Sequence, residues 1–181
     1  MKSMVRASLM LLLLSGFASA AQDVVSAVHG TIIKLDSGTK TVVVKTKDGT
    51  EHSIKFVDKT TVHGGEATAT DGKDAFHGLT EGTEVVAHYT AEGTEKTAVE
   101  VDKVGKDGIK SVDGTVTHID RGGKTLVVKA ADGTEDTFRL SDHAATDAGR
   151  NIGKGTEKSA KVTVYYTENA GKKVAHFFEK D

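Results

Sequence analysis

The chain has 181 residues with no cysteine and no proline, and its 24 basic and 26 acidic side chains leave a formal charge of −2. Without cysteine there is no disulfide, no thiol nucleophile and no thiolate metal site. Nearly balanced, interspersed charges build no field for a polyanion, which argues against nucleic acid as a partner.

Residues 1–21 read as a signal peptide. Lys2 and Arg6 precede the apolar run Ala7–Leu14, and small residues fill Gly16–Ala21. The run is too short to span a bilayer. Cleavage after Ala20 or Ala21 removes two positive charges and leaves a mature chain of net charge −4. The expected location is periplasmic or secreted, with no membrane insertion after signal cleavage.

Residues 22–104 form a first β-unit. Strands are predicted at Ala27–Asp36, Lys40–Thr46, Glu51–Val57, Glu84–Thr90 and Lys96–Val104. Ile32 and Leu35 stand three apart in the first strand, and a bulge or strong coil after Gly30 would bring both inward. Asp48-Gly49 marks a tight hairpin turn. Inward positions are Val42 and Val44, then Ile54 and Phe56, then Val85, Ala87 and Tyr89. Between the third and fourth strands, Thr60–Ala69 reads as a short strand or loop. There Asp71 could cap a short helix over Gly72–Gly78, plugged by Phe76 and Leu79.

Residues 105–110 read as a linker, and residues 111–181 repeat the unit. Val28–Phe56 slides onto Val112–Leu140 without a gap, with 14 of 29 pairs identical, turn residues included, which makes this a duplication. Val85–Thr90 matches Val162–Thr167, and the second set of five strands is Ile109–Asp120, Lys124–Ala130, Glu135–Leu140, Lys161–Thr167 and Lys172–Glu179. The second cap, Ser141–Gly153, is shorter and broken by glycine. Two copies are too few for an open solenoid, so each unit must close on itself.

Five short strands with a cap between the third and fourth is the pattern of an OB-type barrel. The fold expected is all-β: two tandem five-stranded OB-like small barrels, with an SH3-like barrel or small sandwich as alternatives. The motifs Gly-Thr-(Val/Ile)-x-x-(Ile/Leu)-Asp, Lys-Thr-x-Val-Val-Lys and Asp-Gly-Thr resemble a group of uncharacterised bacterial exported domains, predicted to be OB-like barrels often in tandem. That resemblance implies a fold and carries no catalytic residue with it.

Three constellations invite a function. Eight histidines (His29, His52, His63, His77, His88, His118, His143 and His176) offer metal ligands. None has a histidine partner in the other copy, and the densest local group is His63, Glu66 and His77. The outward face of the second and third strands carries Lys45 and Lys55 in one copy and Lys129 and Arg139 in the other, suited to an anionic glycan but short of the aromatics that stacking requires. Gly149–Gly155 imitates a phosphate loop with the wrong spacing and no Ser or Thr after its lysine. Neither Gly-x-Ser-x-Gly nor an EF-hand ligand set occurs. Glu100 and Asp102 alternate with Val99 and Val101 and read as the wet side of a half-buried strand.

The expectation is a non-enzymatic exported binding or envelope-associated module with no cofactor, its partner an unidentified envelope or extracellular ligand, with an anionic glycan or a protein as candidates. The alternatives are a periplasmic metal binder using first-repeat histidines, and a structural spacer.

Overall fold

The computed structural model describes residues 25–64, 76–106, 108–120, 122–142, 144 and 159–180. The signal segment, Glu66, Asp71 and Gly149–Gly155 lie outside them. The described residues form eleven strands. The first unit holds β1 (Val25–Asp36), β2 (Thr41–Lys45), β3 (Glu51–Lys55), β4 (Thr61–His63), β5 (Glu84–Glu92) and β6 (Glu95–Lys103). The second holds β7 (Lys110–Asp120), β8 (Thr125–Ala130), β9 (Glu135–Leu140), β10 (Lys161–Asn169) and β11 (Lys172–Lys180). No described helix is long and apolar enough to cross a membrane.

Each unit closes into a ring with the same order. In the first, β3-β2-β1-β5-β6 is closed by the parallel pair Lys55↔Thr97. In the second, β10-β11-β9-β8-β7 closes through β7 and β10, with β9 parallel to β11. This is the OB-like order that the five-strand pattern predicts. The short strand β4 then continues alongside β6, pairing Thr61↔Glu100, Val62↔Val101 and His63↔Asp102. Thr60 fixes that register: its buried hydroxyl donates to the carbonyl of Ala98 at 2.9 Å and accepts from the Val57 amide at 3.0 Å. The helix expected over Gly72–Gly78 is corrected where it can be seen, because Phe76–Gly78 is a turn with His77 at φ 52°.

The bulge is present in both copies. The register slips between Ile32 and Lys34, and again between Val116 and His118. Ile33 is thereby the extra residue and is exposed, while Ile32 is buried and Leu35 packs against the core. Gly30 lets β1 cross β2 at close range, since a Cβ there would stand 2.3 Å from the carbonyl oxygen of Lys45. In the hairpin turn only Gly49 takes positive φ (89°). Asp48 instead caps the turn, its carboxylate accepting from the Thr50 amide at 3.0 Å.

Val42, Val44, Ile54, Phe56, Val85, Ala87 and Tyr89 form one core, and Val116, Leu126, Val128, Phe138, Val162, Val164 and Phe178 anchor the other. A third cluster lies between the barrels: Val86, Ile109, Tyr165 and Phe177. It joins the outer face of β5, with Ala27 of β1 and Val104 just past β6, to the outer face of β10 and β11. The linker is a hydrogen-bonded turn. The Gly105 amide donates to the Ile109 carbonyl at 2.8 Å, and the Ile109 amide to the Lys103 carbonyl at 2.7 Å. Ile109 is driven into the junction, so the two barrels dock.

Candidate metal centre

The junction gathers ionisable side chains that are far apart in sequence. On the first barrel, β6 contributes Glu100 and Asp102, β4 contributes His63 and β5 contributes His88. Asp102 is wholly buried, which corrects the expectation that Glu100 and Asp102 line a wet strand face. That face is covered by the second barrel. His63 Nδ1 lies 2.8 Å from Asp102 Oδ1 and 3.1 Å from Glu100 Oε1. His88 Nε2 lies 3.9 Å from Asp102 Oδ2. From the second barrel, His176 Nδ1 stands 3.5 Å from Glu100 Oε1 and 4.0 Å from Asp102 Oδ2.

One ligand atom from each of His63, Glu100 and Asp102 lies within 4.8 Å of the others. Asp102 Oδ2 is buried and has no hydrogen-bond partner among the described residues. A buried carboxylate oxygen left so costs free energy unless a cation reaches it. Burial, with the charge of Glu100 beside it, pushes Asp102 up to about 6. The hydrogen bond with His176 outweighs burial and holds Glu100 down at about 2. Burial works against a charged His176, yet Glu100 and Asp102 raise it above the usual imidazole value. Two carboxylates and two imidazoles of this kind suit a borderline divalent ion such as zinc.

A further histidine seals the rim of the junction. His29 Nε2 lies 2.7 Å from Glu84, and its Nδ1 lies 3.2 Å from Glu179 and 3.0 Å from the Tyr165 hydroxyl of the second barrel. His29, His88 and His176 thus all sit at the contact of the two copies.

The sequence-derived candidates divide. His63 is in the centre. His77 is exposed and is not part of the group, and Glu66 lies outside the described residues. Lys45, Lys55, Lys129 and Arg139 are all exposed. In each copy the two cations sit at opposite ends of the strand ladder. Lys45 pairs across to Glu51 and Lys129 to Glu135, while Lys55 and Arg139 face threonines. Lys55 also approaches Glu95 at 3.5 Å.

Glu100, Asp102, His88 and His176 escaped the sequence reading as site residues. A signal was present: Val85-Val86-Ala87 and Phe177-Phe178 are unbroken apolar runs where a one-sided strand would alternate, so both faces of those strands must be covered. His176 had no such signal. It is the extra residue of a bulge, since Tyr165↔Phe177 is followed by Tyr166↔Ala175.

No protein-family model and no curated protein sequence matches the chain. Among solved structures, the chain is similar to silver-bound CusF, with a TM-score of 0.32 and 9% identity over 44% of this chain and 96% of that one. It is also similar to the Cpx pathway activator NlpE from Escherichia coli, with a TM-score of 0.30 and 10% identity over 84% of this chain and 70% of that one. Likeness at this level carries no inference about what the chain binds.

Proposed function

We propose that the chain is an exported, non-catalytic binding protein whose ligand is a divalent transition-metal ion of the zinc type, held at the junction of its two barrels. The observation that carries this reading is the buried Asp102, with one oxygen short of a partner, set within 4.8 Å of donors from His63 and Glu100. The donors are nitrogen and oxygen. Monovalent copper and silver prefer sulfur, so the set favours Zn²⁺, with Ni²⁺ and Cu²⁺ as competitors. The donors all come from side chains of the chain itself, with His63 half exposed at the edge of the group, an arrangement that suits carriage, buffering or structural use of the ion.

The test is a thermal melt of the mature chain with and without Zn²⁺. An ion at about 100 times its Kd stabilises the fold by roughly 2.7 kcal/mol, a shift of several degrees for a chain of this size. Chelator should reverse the shift. His63→Ala should abolish it, and His77→Ala, which removes an exposed ring outside the group, should leave it intact. A shift that survives His63→Ala and Glu100→Gln alike would remove the ion from this site.

A further inference from the structure

We infer that the second barrel completes the centre: His176 joins His63, Glu100 and Asp102 as a fourth donor, so the bound ion clamps the two barrels together. This rests on the metal-binding reading above and adds to it where the site is closed and what the ion does to the molecule.

Three features point to His176. The first is its orientation. Its Nε2 lies 3.0 Å from the Thr167 hydroxyl on the neighbouring strand β10. With Nε2 anchored on Thr167, Nδ1 faces Glu100 and Asp102, and an ion entering there would displace the Nδ1 proton and take its lone pair. A ring held by an outer hydrogen bond, with its other nitrogen free to coordinate, is the usual arrangement of a metal-bound histidine.

The second feature is spacing. Nδ1 stands 3.5 Å from Glu100 Oε1, at the outer edge of hydrogen-bonding range, and 4.0 Å from Asp102 Oδ2, beyond it. Donors each about 2.0–2.1 Å from a tetrahedral zinc are roughly 3.3 Å apart. The separations of His63 from the two carboxylates, 2.8 and 3.1 Å, lie on the short side of that edge, and those of His176 lie on the long side. A cation among the four would spread the first pair and draw His176 in.

The third feature is place. His176 is the bulged residue of β11, which aims its ring at the facing barrel where regular alternation would not. Because His63, Glu100 and Asp102 belong to one barrel and His176 to the other, the ion bridges the junction. The exposed linker residue Lys106 sits beside that junction and reports on it.

The experiment uses the full mature chain with Zn²⁺ as the probe, its affinity read by competition with a chromophoric chelator. His176→Ala should weaken binding by at least the roughly 10–100-fold that loss of even an outer-shell partner costs, and Thr167→Val should weaken it by about tenfold. Zn²⁺ should also slow tryptic cleavage after Lys106 in the native chain and lose that effect in His176→Ala. Co²⁺ bound to the native chain should give the intense visible bands of a four-coordinate ion, weakened in His176→Ala. If His63→Ala abolishes binding while His176→Ala and Thr167→Val leave affinity, proteolysis and the Co²⁺ spectrum unchanged, the clamp is overturned and the first-barrel site stands. If His63→Ala also has no effect, both fall.

Discussion

Asp102→Asn is expected to make the metal-free protein more stable while abolishing its response to Zn²⁺. The native carboxylate is wholly buried and one of its oxygens has no hydrogen-bond partner among the described residues. An amide of the same shape keeps an oxygen for His63 and carries no charge. Because the folded-state value is raised from 3.8 to about 6, the folded chain holds a proton that the unfolded chain gives up across that range. Stability contributed by the protonated form is therefore present below pH 4 and lost as pH rises to about 6. At pH 7 the ionised Asp102 costs roughly 2–3 kcal/mol. Asn removes that cost, so Tm in chelator should rise by about 5–10 °C at pH 7 and by little at pH 4. Glu100 has the opposite sign: its value falls from 4.5 to about 2, so it stabilises above pH 4.5 and loses that effect as pH drops. The measurement is a pair of melts across pH 4–7 in chelator. A lower Tm for Asp102→Asn at pH 7 would mean that the carboxylate is a structural partner of the histidines and no strained ligand.

The second large effect concerns a residue that is none of the donors. Gly30→Ala should destabilise the first barrel by about 3 kcal/mol or more. The added methyl would stand 2.3 Å from the Lys45 carbonyl oxygen and 2.9 Å from Val44 Cγ1. The nearest atom belongs to the backbone and cannot swing aside. Relief requires opening β1 from β2 where Thr31 pairs with Lys45 and Ile32 with Val44, at the start of the bulge. Gly38→Ala is the control: its nearest neighbour is a side-chain oxygen of Asp36 at 3.4 Å, an ordinary van der Waals contact, so the change should stay within about 0.5 kcal/mol. Urea midpoints of the two variants decide it, and equal midpoints would show that β1 and β2 can part at no cost.

Much of each barrel was legible because its instructions are local. The three-residue step from Ile32 to Leu35 asked for a bulge or a strong coil, Asp48-Gly49 demanded a turn, and Val42 and Val44 named the inner face of β2. His63 was legible as a donor by its residue type. Its partners were not, because Glu100 and Asp102 alternate with valines as any half-solvated strand does. Alternation tells which residues share a face and says nothing about what covers it. The cover here comes from β10 and β11, some 65 to 80 positions further along, and is placed by the linker turn. His77 and Glu66 looked close to His63 in sequence, yet the partners of His63 lie on β6, brought alongside by the parallel register His63↔Asp102. The bulge that aims His176 is set by how β11 fits β10, a tertiary choice no short window contains.

The turn from Lys103 to Ile109 sets a further property of the centre. Among the described residues, four buried apolar side chains, with Ala27 and Val104 packed against them, form the heart of the junction, a contact that two free barrels would make weakly at cellular concentrations. Tethered by so short a span, each barrel sees the other at an effective concentration of millimolar order or above. Assembly of the junction is thus a unimolecular event. Dilution does not separate its halves, and a single cut in that turn would make the same contact depend on concentration.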